Sequence, residues 1–136
     1  QRTEIERFVA EQGLQSHITF TGFRKDITDV LGGVDVLLFT SRKEGLGTSL
    51  LDAQLSGVPI VATNVGGIPE IVTTGKTGLL ANQGDDTALA KNVKLLLNDA
   101  TLRNQISENA KKSVIKFSKS NMAQQILKTY KTILST

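Results

Sequence analysis

Strand-like and helical patterns alternate along the first 84 residues, and this alternation restricts the possible fold more than any other feature of the sequence. Short apolar runs that are rich in β-branched or aromatic residues and end at turn residues are typical of strands. Four such runs occur, at residues 18–21, 34–39, 59–63 and 78–81. The run at 34–39 is almost continuously apolar, which indicates a strand that is covered on both faces.

Helical spacing separates these runs and then replaces them. Apolar residues recur three and four positions apart, between capping residues and glycines. The predicted helices cover residues 3–12, 27–31, a segment from about 48, 68–72, 86–98, 102–116 and 120–134. Such an alternating chain forms a doubly wound parallel sheet between two helical layers. We therefore predict a three-layer α/β fold with C-terminal helices, whose apolar stripes between residues 89 and 134 belong to the core.

Composition and charge exclude several classes of function. The chain of 136 residues contains no cysteine, which rules out disulfides, thiolate metal sites and cysteine nucleophiles. Residues 1–90 contain seven Lys/Arg and eleven Asp/Glu, whereas residues 91–136 contain nine and two. Because the basic part has few aromatic residues for stacking on bases, we expect no nucleic-acid partner. We expect a cytoplasmic protein, whose basic helices allow peripheral contact with the inner face of a membrane.

The densest group of polar-ligand side chains lies where the run at 34–39 passes into the next helix. A carboxylate, two glycines, two hydroxyls and a second carboxylate follow one another as Glu44, Gly45, Gly47, Thr48, Ser49 and Asp52. A helix that begins near Thr48 would direct free N–H groups and its positive dipole end at a phosphate or diphosphate. Glu44 could then accept paired sugar hydroxyls, and Asp52 could reach a ribose. The loops at 22–25, 40–47 and 64–67 should share the same edge of the sheet.

These residues also have a purely structural interpretation. The sequence from Ser49 to Asp52 matches a capping box with aspartate in the glutamate position. From the residues alone, capping and ligand binding remain equally open.

Three further patterns resemble phosphate-binding loops only in part. Residues 75–77 lack the preceding glycine of a nucleoside-triphosphate loop, and residues 45–47 lack the third glycine of a dinucleotide loop. Residues 66–67 could present backbone N–H groups to an anion, but a tight turn is the simpler interpretation.

Five segments carry a resemblance to a known family. They are residues 41–47 (SRKEGLG), 51–53 (LDA), 57–63 (GVPIVAT), 66–70 (GGIPE) and 77–80 (TGLL). Together they resemble the C-terminal donor-binding domain of retaining GT-B glycosyltransferases of group 1, family 4. Members have two Rossmann-like halves that face each other across a cleft, and this chain is similar to the second half only. The resemblance implies that residues 1–136 form a nucleotide-sugar donor-binding domain.

The resemblance also implies a role for each site residue. Glu44 would be the catalytic-site acid that contacts the donor sugar. The backbone of Gly45, Leu46, Gly47, Thr48 and Ser49 would hold the sugar and the diphosphate. Asp52 would contact the ribose, and Phe23 and Arg24 would contact the base. No metal and no cofactor would be required.

One difference from the family pattern and the start of the chain affect these expectations. The second acidic position usually carries glutamate, and Asp52 is one methylene shorter, so the ribose contact would be shifted or weaker. The chain also starts without methionine, almost inside a helical pattern. We expect a fragment that lacks the first strand of the domain and the N-terminal half that binds the acceptor, and therefore no sugar transfer by these residues alone. The alternatives are half of a GT-B-like nucleotide-sugar epimerase and a non-enzymatic flavodoxin-like binding module.

Overall fold

A computed structural model describes residues 2–134 of the chain. Seven α-helices, one short 3₁₀ helix and three strands follow one another in this described part. In chain order they are α1 Arg2–Glu11, α2 Ile27–Gly32, β1 Leu37–Phe39, α3 Thr48–Ser56, β2 Ile60–Thr63, α4 Ile68–Ile71, β3 Leu79–Ala81, α5 Asp86–Asn98, α6 Ala100–Val114, the 3₁₀ helix Ile115–Phe117 and α7 Lys119–Leu134.

The three strands form one parallel sheet in the order β1-β2-β3. Leu38 lies opposite Val61, and Val61 lies opposite Leu79. The central strand β2 is buried along its whole length. Successive side chains of a strand point to opposite faces, so β2 contributes to two separate cores.

Helices cover both faces of the sheet. On one face, Ile60 and Ala62 pack with buried residues of α2, α3 and α4. On the other face, Val61 packs with buried residues of α5 and α6. The predicted three-layer α/β fold with C-terminal helices is confirmed.

Aspartate side chains set the starts of the two helices on the second face. The Asp85 carboxylate accepts a hydrogen bond from the Ala88 N–H at 2.9 Å, and the Asp99 carboxylate accepts one from the Leu102 N–H at 2.8 Å. Such bonds satisfy N–H groups that have no partner within the helix. Asp99 therefore ends α5 and starts α6, two residues before the predicted start at residue 102.

The predicted strand at 18–21 is not formed. No described segment hydrogen-bonds to it in a ladder, and Ile18 and Phe20 are 39% and 38% exposed. Strand-forming residues still need a neighbouring strand, because a β-ladder is a tertiary contact. The Arg2 guanidinium lies 5.9 Å from the centre of the Phe20 ring, so this segment packs against the start of α1 instead.

The strand predicted at 34–39 is shorter and less covered than expected. Only residues 37–39 pair, and Leu38 is 48% exposed. Within the described part of the chain β1 pairs with β2 alone, so it is an edge strand rather than one covered on both faces.

The expectation that the last apolar stripe belongs to the core is wrong. Helix α7 forms as predicted, but none of its residues is buried. Its apolar stripe, called the α7 stripe, is between 48% and 85% exposed and consists of Met122, Ile126, Leu127, Tyr130, Ile133 and Leu134. The stripes of α5 and α6, in contrast, supply the buried residues Leu89, Leu96 and Ile106. Helical spacing shows that a stripe exists but not what covers it.

None of the helices that the structure describes is long and apolar enough to span a membrane.

The difference between the two helices is measurable as stability. Ile106→Ala in α6 should lower the free energy of unfolding by about 2–5 kcal/mol, because it opens a cavity at a fully buried position. Ile126→Ser in the α7 stripe should change it by no more than about 0.5 kcal/mol. Urea denaturation of the two variants and the unsubstituted chain measures both values. A large loss for Ile126→Ser would show that the stripe is covered in solution.

Candidate functional site

The site begins where α3 starts, directly after the loop that follows β1. The helix starts at Thr48, as predicted, and its N-cap residue is Gly47, with φ 68°. This left-handed conformation favours glycine. No side chain caps the helix. Thr48 and Ser49 are exposed residues, and their N–H groups have no acceptor among residues 2–134, as is typical of the first turn of a helix without a side-chain cap.

The capping-box interpretation of Ser49 and Asp52 is wrong. Ser49 lies inside the helix, because the N-cap position is occupied by Gly47. The Asp52 carboxylate is exposed and has no hydrogen bond or ion pair with any described residue. Asp52 is therefore free to bind a ligand, although its predicted ribose contact stays a prediction.

The Glu44 carboxylate stabilises the loop that carries it. Its Oε1 accepts a hydrogen bond from the Gly47 N–H at 3.1 Å, and its Oε2 accepts one from the Ser41 hydroxyl at 3.3 Å. The side chain is half-buried. A carboxylate has about four acceptor positions, so these two bonds orient Glu44 and leave acceptor capacity for a ligand. The sequence did not predict this structural role.

A second loop packs directly against the first. The Gly67 N–H donates to the Glu44 carbonyl oxygen at 3.2 Å. A Cβ atom at Gly66 would lie 1.9 Å from that oxygen, and one at Gly67 would lie 2.0 Å from the Gly45 carbonyl oxygen. Glycine is thus required by the close approach of two backbones. The predicted tight turn is confirmed, because the Ile68 N–H donates to the Val65 carbonyl oxygen at 3.1 Å across Gly66 and Gly67. The close approach of the two loops was not predicted, and it leaves the Gly67 N–H unavailable to an anion.

Further hydrogen bonds hold the same edge of the sheet together. The Thr63 hydroxyl donates to the Ser41 carbonyl oxygen at 2.7 Å, and the Asn64 N–H donates to the Ala81 carbonyl oxygen at 2.8 Å. The loops at 40–47 and 64–67 therefore meet at one edge, as predicted. Ser41 and Thr63 were not predicted to support the site, although each lies at or just after the end of a strand.

A polar cavity of about 580 Å³ lies beside this edge. It is lined by Thr40, Arg42, Thr63, Gln83, Gly84, Asp86 and Leu89. Glu44 and residues 45–49 are not among them. No motif in the sequence singles out Gln83 or Asp86, but the position of Gln83 two residues after β3 is the signal that could have identified it.

The two residues predicted to contact a base lie on an exposed loop. Phe23 is 89% exposed, which leaves its ring free for stacking. The Arg24 Nε donates to the Asp26 carboxylate at 2.8 Å, and the Arg24 Nη2 contacts its second oxygen. Asp26 occupies the N-cap position of α2, but its side chain makes no capping hydrogen bond. No described hydrogen bond or ion pair joins this loop to residues 44–52.

The ion pair changes the titration of both partners. The hydrogen bond from Arg24 holds the pKa of the Asp26 carboxyl below its usual value, and the same bond raises the pKa of Arg24. No group of three His, Asp or Glu side chains suitable for a metal ion occurs among residues 2–134.

Substitution of Gly67 tests the close approach of the two loops. Gly67→Ala should lower the free energy of unfolding by about 1–3 kcal/mol, because its methyl group would meet the Gly45 carbonyl oxygen. Gly32→Ala is the matched control: no atom lies within 4 Å of the added Cβ, and the residue is helical. We expect no loss of stability there. Equal stability of the two variants in urea denaturation would contradict the contact.

The Arg24–Asp26 pair makes the stability of the folded protein depend on pH in a direction that follows from the lowered pKa of Asp26. Because the folded-state pKa of Asp26 is lowered, the pair stabilises the protein above the unfolded pKa and loses this effect as the pH falls through the folded pKa. In Arg24→Gln, the Asp26 pKa should rise toward its ordinary value, because the side-chain hydrogen bond is the largest cause of its lowering. An NMR titration of the Asp26 carboxyl in both proteins measures the difference, and identical titration curves would contradict the pair.

The sequence matches proteins of known type over most of its length. N-acetyl-alpha-D-glucosaminyl L-malate synthase of Bacillus anthracis is 35% identical over 129 residues, which are 95% of this chain and 33% of that protein. The 2-deoxystreptamine glucosyltransferase of Streptomyces kanamyceticus is 42% identical over 101 residues, 73% of this chain and 26% of that protein. The chain thus spans a third or less of the length of these relatives.

Solved structures of similar fold agree with the sequence matches. Anabaena HepE in complex with UDP-glucose has a TM-score of 0.87 and 30% identity, over 96% of this chain and 36% of that one. The C-terminal domain of the group 1 glycosyl transferase LpcC from Francisella tularensis has a TM-score of 0.73 and 28% identity, over 85% of this chain and 60% of that one. The family model described as glycosyl transferases group 1 matches residues 1–113. The chain therefore belongs to the group 1 glycosyl transferases, as the resemblance of its motifs predicted.

Proposed function

We propose that this chain is the donor-binding half of a retaining glycosyltransferase that moves a hexose from a nucleotide-diphosphate sugar to an acceptor. The observation that carries the proposal is the uncapped start of α3. There, the N–H groups of Thr48 and Ser49 have no acceptor among the described residues. Two carboxylates that can still accept hydrogen bonds, Glu44 and Asp52, lie one turn before and one turn after them in the chain. A related protein, Anabaena HepE, forms complexes with UDP and with UDP-glucose, which supports a donor of this class.

Each part of the site suits one part of such a donor. The backbone of Gly45, Leu46 and Gly47 and the first N–H groups of α3 offer donors to the sugar and the diphosphate. Glu44, oriented by Ser41 and by the Gly47 N–H, offers acceptors to the sugar hydroxyls. Asp52 lies one turn further along the helix, where it would contact the ribose.

The base would contact the loop at 22–25. The exposed ring of Phe23 would stack on the base. Arg24 would contact the base either while it remains hydrogen-bonded to Asp26 or after that bond breaks.

The catalytic contribution of the domain is electrostatic. When the bond between the sugar and the diphosphate breaks, negative charge develops on the leaving nucleotide. N–H groups and the positive end of α3 stabilise this charge without rearranging, because the fold already holds them in place. We propose that no metal and no cofactor take part.

The acceptor would be bound by a second domain of a longer protein. The lengths of the relatives support this proposal, since the chain spans only 33% of the Bacillus relative. The exposed α7 stripe and the exposed Leu38 of β1 give apolar surfaces on which further structure could pack. We place the longer protein in the cytoplasm, in keeping with the absence of cysteine, with peripheral contact to the inner membrane face through its lysine-rich C-terminal helices.

The two alternatives are less well supported. The similar proteins from Bacillus and Streptomyces are a synthase and a transferase, which gives no support to an epimerase. The same two relatives carry the names of enzymes, which gives no support to a binding module without an enzymatic role either.

Binding of nucleotide sugars to the purified chain tests the site. Saturation-transfer NMR with UDP-, GDP- and ADP-sugars identifies the donor, and titration gives its dissociation constant. Glu44→Gln should weaken binding about tenfold or more, because it removes a charged acceptor. Asp52→Asn should weaken it less, and Asp52→Glu should strengthen it if the short side chain limits the ribose contact. Asp29→Asn, an exposed carboxylate on α2, is the matched control and should bind like the unsubstituted chain.

Two outcomes would contradict the proposal. One is the absence of binding to every nucleotide sugar of the panel by the folded, unsubstituted chain. The other is binding that Glu44→Gln and Asp52→Asn leave unchanged, which would place the donor elsewhere, with the cavity around Arg42 and Gln83 as the next site to test.

A further inference from the structure

Gln54 is a polar side chain in the middle of an apolar core. It lies on α3 beside Ala53, and both residues are completely buried. Its Nε2 donates a hydrogen bond to the Ile71 carbonyl oxygen at 3.0 Å. Its Oε1 is buried without a hydrogen-bond partner among the described residues. An amide oxygen buried in this way is unfavourable, so an apolar side chain of the same volume would suit the packing better.

The bond from Gln54 reaches the end of the segment that contacts the candidate site. Ile71 is the last residue of α4, and α4 begins one residue after Gly67. The last carbonyl groups of a helix have no partner within the helix. Gln54 supplies a partner to one of them, and in doing so it joins α3 to the C-terminal end of α4.

Two hydrogen bonds thereby close a ring of backbone. The first part of the ring is the chain from Glu44 through residues 45–47 and along α3 to Gln54. The hydrogen bond from the Gln54 Nε2 to the Ile71 carbonyl oxygen, at 3.0 Å, joins this part to α4. The ring then returns along α4 to Gly67, whose N–H donates to the Glu44 carbonyl oxygen at 3.2 Å. Leu50 of α3 and Ile68 of α4 are both fully buried and belong to the same core cluster. The position of α4 is therefore fixed at both of its ends against α3 and its loop.

We propose that Gln54 is a positioning residue for the donor site. By fixing the far end of α4, it holds Gly67 against the backbone of Glu44, and so it fixes the loop that directs the Glu44 carboxylate and the first N–H groups of α3. Gln54 does not touch the donor. This inference rests on the proposed function for its effect on binding, but its effect on the Gly67 contact is independent of that function.

A purely stabilising role makes a different prediction. If Gln54 only satisfied the Ile71 carbonyl group, its replacement would change the unfolding free energy and leave the loops as they are. The two roles can be separated because the Gly67 N–H lies at the opposite end of α4 from Ile71. Its hydrogen exchange reports on the contact with Glu44 rather than on the altered side chain.

The test compares Gln54→Met with a matched control. Methionine has a similar length and suits an apolar core but cannot donate to Ile71. Asn92→Leu removes an equivalent bond on the other face of the sheet, where the Asn92 Nδ2 donates to the Leu80 carbonyl oxygen at 3.4 Å. Three quantities are measured for each variant of the full chain: the melting temperature, the exchange rate of the Gly67 N–H, and the dissociation constant of UDP-glucose.

Gln54→Met should remain folded, exchange the Gly67 N–H about tenfold faster, and bind UDP-glucose about fivefold more weakly. Asn92→Leu should leave the exchange and the binding unchanged. The proposal would be overturned if Gln54→Met is folded and its Gly67 N–H exchanges at the same rate as in the unsubstituted chain. If the unsubstituted chain binds none of the UDP-, GDP- and ADP-sugars, the proposed function is at fault, and the exchange rate alone decides the role of Gln54.

A measurement on the unsubstituted chain covers the case in which Gln54→Met does not fold. The NMR signals of the Gln54 side-chain amide should shift, and its protons should exchange more slowly, when UDP-glucose is added, while those of Asn92 should not change. The proposal would be overturned if the donor binds but neither the chemical shifts nor the exchange rates of the Gln54 side-chain amide change.

Discussion

The site depends on one backbone contact, the approach of Gly66 and Gly67 to the carbonyl groups of Glu44 and Gly45. No other residue type fits there, because a Cβ atom at either glycine would come within 2.0 Å of a carbonyl oxygen. The contact joins the loop after β1 to the loop after β2, so two neighbouring strands of the parallel sheet support a single surface. Without this contact, the hydrogen bond from the Thr63 hydroxyl to the Ser41 carbonyl oxygen would be the one described bond between the end of β2 and the loop that carries Glu44.

The contact gives Glu44 two roles that do not compete. Its carbonyl group belongs to the contact between the loops, and its carboxylate closes the short turn before α3. Both roles fix the side chain before a ligand arrives, and a carboxylate still has further acceptor positions. Preorganisation of this kind lowers the entropic cost of binding. In the proposed donor site, the fixed position of the half-buried side chain would therefore favour binding in addition to its charge.

Local features of the chain could be predicted from its sequence. The start of α3 at Thr48 follows from two glycines before a helical pattern, and the start of α5 follows from Asp85. The alternation of strands and helices predicted the parallel sheet and its two helical layers. Motifs spread over residues 41–80 were sufficient to indicate the family, because they combine residue types that the site needs at fixed spacings.

Features that depend on distant contacts could not be predicted. Residues 18–21 have strand-forming side chains but no strand beside them, and the α7 stripe has helical spacing but no core to enter. The capping box at Ser49 failed for a local reason instead, because Gly47 occupies the N-cap position and Ser49 lies inside the helix. The turn at residues 66–67 could be predicted from its two glycines, but the close approach of these glycines to the neighbouring loop could not.

The choice of glycine as the N-cap residue has a thermodynamic consequence. The side chains of Asp85 and Asp99 accept hydrogen bonds from N–H groups in the first turns of α5 and α6, whereas no side chain caps α3. An anion bound at that end would act as the missing cap. Folding and ligand occupancy are then linked, since a ligand that binds only the folded state stabilises it in proportion to RT ln(1 + [L]/Kd). A bound diphosphate would thus complete the end of α3 that no side chain caps.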